Sequence, residues 1–345
     1  MELSQKMSPS QDQIRKKKKA MRSILSFGVV VMLLFILFFT AVNTGSLQIS
    51  FGRLLRGLFV EYDSQVATIY DLRFPRIIIS MLAGAAIAVS GVLFQAVLKN
   101  PLADPGIIGI SSGAGFAAVM VTAFLPSFYF FAPVFAFAGG VLAFFMVYFL
   151  SWKGGLSPLR IILTGVAVNA FFTGLSSAIN TMSGGERTGV ASIVEGNINQ
   201  KTWEDVNTLL PYVIAGLILA VIFMGECNLL SLEDKTARSL GLNVNTTRIV
   251  ISLIAVLLAS ISTAVVGSIS FLGLIVPHIG RILVGSDHKF LIPFSALSGA
   301  LVFLIADTVG RTIAAPYEIS PAVIMSVVGG PFFILLLRRS KKYGN

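Results

Sequence analysis

Between positions 24 and 42 only Ser26, Gly28 and Thr40 interrupt an apolar run. At ~1.5 Å per residue, a helix of that length covers the ~30 Å hydrocarbon core of a bilayer. Comparable runs recur near 77–97, 107–125, 128–150, 159–182, 209–225, 249–266, 268–284, 290–306 and 320–337. This recurrence predicts an all-α polytopic membrane protein with about ten transmembrane helices. The eighth run is the least regular, because Gly267 crowds its start and Pro277 interrupts it. Pro and Gly are tolerated within membrane helices where neighbours satisfy the freed backbone.

Composition supports this class and removes others. Of 345 residues, 55% are hydrophobic and 12% charged, against about 25% charged in soluble domains. Mean hydropathy is +0.86. Disorder and an ordinary soluble enzyme are both excluded. Cys227 is the single cysteine, so no disulfide framework exists. The net charge of +10 does not indicate nucleic acid, because the cations cluster at the two ends and in short loops. Arg15, Lys16, Lys17, Lys18, Lys19 and Arg22 precede the first run, and Arg338, Arg339, Lys341 and Lys342 follow the last. Under the positive-inside rule, both termini of an even-span protein then lie in the cytoplasm. The exceptions to that trend are Arg53, Arg56, Arg73, Arg76, Arg187, Lys201 and Arg311, which fall outside and need a reason. The first run exceeds a signal-peptide core and lacks a clean small-residue cleavage site, so it is expected to stay as a helix. The expected organisation is a basic cytoplasmic tail (1–22), a transmembrane domain (23–339) and a short cytoplasmic tail (340–345).

Catalytic signatures are absent. No G-x-x-x-x-G-K-[ST] phosphate loop occurs, and the glycines around Gly184 to Gly189 have neither its spacing nor its lysine. His278 and His288 lack companions at metal-ligand spacing. No metal site and no cofactor is expected on this chain. Small residues at helical spacing, such as Gly84, Ala88, Gly91, Gly109 and Gly113, indicate close helix packing. A weak duplication between the second-to-fifth and seventh-to-tenth runs is compatible with transporter repeats. Ion-driven transport usually needs an acidic residue within the bilayer. Asp307 is the one good candidate: it is either such a coupling acid or, as the spacing to Arg311 four residues on favours, half of a local ion pair.

Four loops carry the functional information. In Asp71 to Arg76, Pro75 marks the start of the second helix and sets Arg73 and Arg76 together. They are either headgroup anchors or a cationic socket for an acidic partner. Pro101 and Pro105 stiffen the loop from Lys99 to Pro105. Gly154 and Gly155 loosen the loop from Lys153 to Pro158; one stiff and one mobile loop suit a gate. The segment NLLSLEDKTARSLGLNV (228–244) places Leu229, Leu232, Ala237 and Leu240 at near-helical spacing, with Asp234 among the polar residues and Gly241 as terminator. It predicts one short amphipathic helix, lying on the membrane or docked in a partner's groove.

Read in order, these blocks resemble the permease subunits of bacterial type II ABC importers for iron–siderophores, haem and vitamin B12. The resemblance covers about 72 to 339. It rests on Arg73-Phe74-Pro75-Arg76, GVLFQAVLKNPLADPGIIGISSGA (91–114), NLLSLEDKTARSLGLNV (228–244), FLGLIVPHIGRILVGSDHK (271–289), ADTVGR (306–311) and GGPFFILLLRR (329–339). Ile193 stands where the family often has an aromatic residue.

The resemblance implies a ten-helix subunit of the cytoplasmic membrane that pairs with a second copy or a paralogue. It also implies cytosolic ATPase subunits and an extracytoplasmic substrate-binding lipoprotein as partners. By position, Arg73, Arg76 and Arg311 match the family's binding-protein docking arginines. Leu229, Leu232, Asp234, Ala237, Leu240 and Gly241 match the ATPase coupling helix. Asn100, Pro101, Leu102, Gly154, Gly155, Leu156 and Ser157 match the cytoplasmic gate. The implied cargo is a ferric siderophore first, haem next and cobalamin third. The basic tail, outside the resemblance, is expected to meet anionic lipid. An ion-driven carrier without an ATPase is the alternative, and a structural subunit beside another permease is a third reading.

Overall fold

The computed structural model describes residues 11–45, 47, 49–151, 158–182 and 188–340. Among these, every regular element is helical. In chain order they are α1 (Gln11–Asn43), α2 (Phe51–Phe59), α3 (Ser64–Leu72), α4 (Phe74–Val97), α5 (Ile110–Phe124), α6 (Ala132–Ser151), α7 (Pro158–Met182), α8 (Thr188–Glu195), α9 (Trp203–Ile222), α10 (Met224–Leu230), α11 (Asp234–Ser239), α12 (Val244–Val266), α13 (Leu272–Val284), α14 (His288–Thr312) and α15 (Pro321–Ser340). A 3-10 turn, Pro126–Phe131, leads into α6.

Each of the ten apolar runs is found as a helix, but they are not equivalent. Seven described helices are long and apolar enough to cross a membrane; the apolar parts of α5, α13 and α15 are shorter. Helices α5 and α13 have 15 and 13 residues, or roughly 20 Å of rise. The third and eighth runs, expected at 107–125 and 268–284, therefore begin late as helices. Gly109 (φ +88°) precedes α5 and Phe271 (φ +68°) precedes α13, each in the left-handed region. The non-helical lead-ins touch, since Gly106 lies against Ile269 and Ser270. Irregular backbone at membrane depth persists only where protein encloses it, and Ala103, Asp104, Ile108 and Ile269 are all buried.

Helix α4 forms the centre of the bundle. It packs on α14, α12, α13 and α9, and its length from Ala83 to Val97 is buried. Glycine permits two of these contacts: Gly84 meets the backbone of Gly299 in α14, and Gly91 meets Gly273 in α13, where a Cβ would strike the facing carbonyl. Such backbone approach is the membrane mode of helix association.

Helix α13 continues through Pro277, which lacks the N–H that the Gly273 carbonyl would otherwise receive. The Gln95 side-chain amide donates to that carbonyl at 3.0 Å, and this substitute bond explains why the proline does not break the element. Helix α1 packs on α14 and α13, and the Arg22 guanidinium donates to the Ile282 carbonyl at 2.7 Å. Because α1 begins at Gln11, the basic run is helically continuous with the first span. Large apolar side chains stay exposed on α1, α6, α7 and α15, surfaces suited to lipid or to neighbouring subunits.

Candidate functional site

Two clusters of charge lie at opposite ends of α4. At its N-terminal end, Pro75 occupies the first turn, where a missing N–H costs nothing. That start directs Arg76 inward. Its guanidinium donates to Asp307 Oδ1 from Nε at 2.9 Å and from Nη2 at 2.7 Å. Its Nη1 donates to Glu318 Oε2 at 2.8 Å. Glu318 arrives because the Ile319 N–H bonds the Gly310 carbonyl at 2.9 Å, folding the loop before α15 back on α14. Arg311 Nε lies 3.4 Å from Asp307 Oδ2, the helical pair expected from spacing. Arg311 also reaches the Ala41 carbonyl at 3.4 Å.

This geometry alters the picture of an open cationic socket. The side chains of Arg76 and Arg311 are only 10% and 8% exposed. Two buried cations face two carboxylates, the balance that burying charge requires. Arg73 is half-buried; its Nη1 donates to the Leu47 carbonyl at 2.8 Å and to the Val42 carbonyl, tying the end of α1 to the start of α4. Glu318 is the most exposed carboxylate of the cluster. Asp307, the candidate for ion coupling, is fully buried and engaged by both arginines.

At the C-terminal end of α4 lies the expected stiff loop. Asn100 Oδ1 accepts from the Leu102 N–H at 3.0 Å, and the Asn100 carbonyl accepts from Ala103 N–H at 3.2 Å. Pro101 is exposed and Leu102 half-buried. The buried Asp104 carboxylate takes the N–H groups of Gly106 and Ile107 at 2.9 and 3.1 Å. Gln95 bonds the Ala103 carbonyl at 3.1 Å. The loop is therefore anchored along its length. Gly154, Gly155, Leu156 and Ser157 lie outside the described residues.

The segment from Leu229 to Gly241 departs from the single helix expected. It is two short helices, α10 and α11, broken at 231–233. At the break the Leu232 carbonyl, which a continuous helix would pair with the Thr236 N–H, accepts instead from the Lys99 ammonium. Lys99 also donates to Asp234 Oδ1 at 2.8 Å, and Arg248 Nη2 donates to the same oxygen at 2.9 Å. The Lys99 hydrogen bond, reinforced by Arg248, holds the Asp234 carboxyl below its ordinary range. Ala237 is buried and Leu229 half-buried, while Leu232 and Leu240 are 39% and 60% exposed. Gly241 ends the segment at φ +88°, the left-handed stop that its position predicted. Nearby, His288 Nδ1 lies 2.7 Å from Asn228 Oδ1, a hydrogen-bonded histidine.

Sequence reasoning did not assign roles to Lys99, Arg248, Glu318 or Gln95. Lys99, Glu318 and Gln95 meet Asp234, Arg76 and Gly273 across more than a hundred positions, and Arg248 meets Asp234 across 14; no spacing rule signals such pairs.

A bundle of membrane-length helices, closed around glycine contacts and charged at both ends, is a multi-pass membrane permease. A family model described as the FecCD transport family matches residues 33–339. The "Probable heme-iron transport system permease protein IsdF" of Staphylococcus aureus (strain MSSA476) is 38% identical over 329 residues, covering 95% of this chain and 98% of that protein. The "Fe(3+)-citrate import system permease protein YfmD" of Bacillus subtilis (strain 168) is 38% identical over 328 residues, covering 94% and 98%. A metal-chelate type ABC transporter solved in an inward-facing conformation superposes with a TM-score of 0.76 at 28% identity, covering 91% of this chain and 99% of that one. PsaBC from Streptococcus pneumoniae shares the fold at a TM-score of 0.57 and 17% identity, with 83% and 95% covered. The chain belongs to the FecCD transport family, the permease family that its motifs resembled. Members of that family are transport permeases.

Proposed function

We propose that this chain is the membrane-spanning subunit of a binding-protein-dependent ABC importer in the bacterial cytoplasmic membrane, with both termini in the cytoplasm. It pairs with a second copy or a paralogue. An extracytoplasmic binding lipoprotein delivers an iron chelate, and a separate cytosolic ATPase hydrolyses the ATP. A ferric siderophore is the first choice of cargo, haem the next and cobalamin the third. The named activities of the haem-iron and ferric-citrate relatives support the iron chelates.

The observation that carries this reading is the segment around α11. It is held to the bundle through Ala237 and Asp234, yet presents Leu232 and Leu240 outward. Exposed leucines on a braced segment suit a groove on a partner. ATP-driven closure of the partner then shifts the population between inward- and outward-facing states. At the other end, Arg73, Arg76 and Arg311 act in binding-protein docking, where an incoming carboxylate competes with Glu318 for Arg76.

Replacing Leu232 and Leu240 together with Asp is expected to release the ATPase from purified membranes. ATPase that stays bound overturns the coupling assignment. The ion-driven alternative predicts that this chain alone, in liposomes without ATP, concentrates cargo on a proton gradient. The engagement of Asp307 by two arginines argues against it.

A further inference from the structure

The gate turn and the coupling segment belong to different parts of the chain, and one side chain joins them. Lys99 immediately precedes Asn100, and its ammonium bonds both the Leu232 carbonyl and Asp234 Oδ1, the latter at 2.8 Å. It therefore grips the break between α10 and α11. Asp234 takes its second cation, Arg248, from α12, outside the gate turn.

The turn itself is stiff enough to carry a displacement. Lys99 adopts φ +48°, uncommon for a residue with a side chain. The Asn100 N–H bonds the Gln95 carbonyl at 3.2 Å, and Asn100 closes on Leu102 and Ala103. Gln95 then ties the turn to Gly273 in α13. Residues 95–103 are thus cross-linked by hydrogen bonds, and Lys99 links them to Asp234. Lys99 and Asp234 are 32% and 40% exposed, so their pair adds little to stability.

We propose that Lys99 is a positioning residue that transmits movement of the ATPase-facing segment to the cytoplasmic gate turn of the same subunit. The proposal rests on the importer reading above. Arg248 braces Asp234 against α12 and does not reach the turn, so the two cations on one carboxylate have separable effects.

The test uses the full importer purified with its ATPase, in a Cys227→Ser background with Leu102→Cys carrying a spin label. The distance between labels in the two permease subunits is measured with and without ATP and vanadate. In the parent complex nucleotide changes that distance. Lys99→Met is expected to lose the change while ATP hydrolysis continues; Lys99→Arg and Arg248→Met are expected to keep it. If Lys99→Met does not assemble, Asp234→Asn, which removes the charge and keeps the size, is expected to show the same loss. A nucleotide response retained in Lys99→Met or Asp234→Asn overturns the proposal, as does equal loss in Arg248→Met. Absence of a copurifying ATPase, or of any response in the parent complex, instead overturns the importer reading.

Discussion

The two ends of α4 solve the same problem in opposite ways. Both gather charges from distant parts of the chain, the Arg76–Asp307 pair spanning 231 positions and the Lys99–Asp234 pair 135. At the N-terminal end Arg76, Arg311 and Asp307 are sunk among α4 and α14, Asp307 fully, and Glu318 alone reaches the surface. At the C-terminal end they sit at the surface, each about a third exposed. A buried pair pays heavily for the loss of one partner, whereas an exposed pair is worth little and yields easily. The first arrangement suits a fixed post and the second a joint that moves.

That contrast is open to attack by mutation. Asp307→Ala leaves Arg76 and Arg311 buried without their shared carboxylate, and is expected to destabilise the folded state by about 3–5 kcal/mol. Thermal unfolding in detergent measures it; an unchanged midpoint would show that water replaces the carboxylate. Glu318→Gln removes the outermost member and leaves Asp307 in place. A smaller loss, about 1–2 kcal/mol, is expected from the same measurement. Lys99→Met is expected to change stability by less than about 1 kcal/mol, although the gate readout above is abolished.

Salt sharpens the comparison further. At 1 M salt the screening length is about 3 Å, so any shift in midpoint from Lys99→Met is expected to vanish, while that from Asp307→Ala persists. Acid acts in the same direction at the exposed end. Asp234 is held below its ordinary range, so its contribution is complete at neutral pH. It is lost only as pH falls below the usual aspartate value of about 3.9 and through the lowered native one. A Lys99→Met midpoint shift that grows toward acid would contradict this sign.

Much of the architecture was legible before any coordinates. Each of the ten apolar runs located a helix, seven of them long enough to cross a membrane, because desolvating a polar backbone in lipid permits few alternatives; the short helices α2, α3, α8, α10 and α11 gave no such run. The arginines outside the positive-inside trend stood out, and the i, i+4 spacing of Asp307 and Arg311 announced their pairing. Gly241 was recognisable as a stop. What escaped was set by contacts remote in sequence. Helices α5 and α13 start late because their lead-ins pack on one another. The segment at 228–244 breaks at 231–233, where Lys99 bonds the Leu232 carbonyl from 133 positions away. Glu318, 242 positions from Arg76, folds back onto its guanidinium.

By itself, then, the order of residues determined membrane residence, the places of the apolar helices and which faces carry small side chains, since these follow from transfer energies and helical periodicity. The tertiary structure alone decided which charges are consumed internally, where two helices begin and which lysine meets which aspartate. Such outcomes depend on bringing groups more than a hundred residues apart into contact, and local patterns hold no information about that approach.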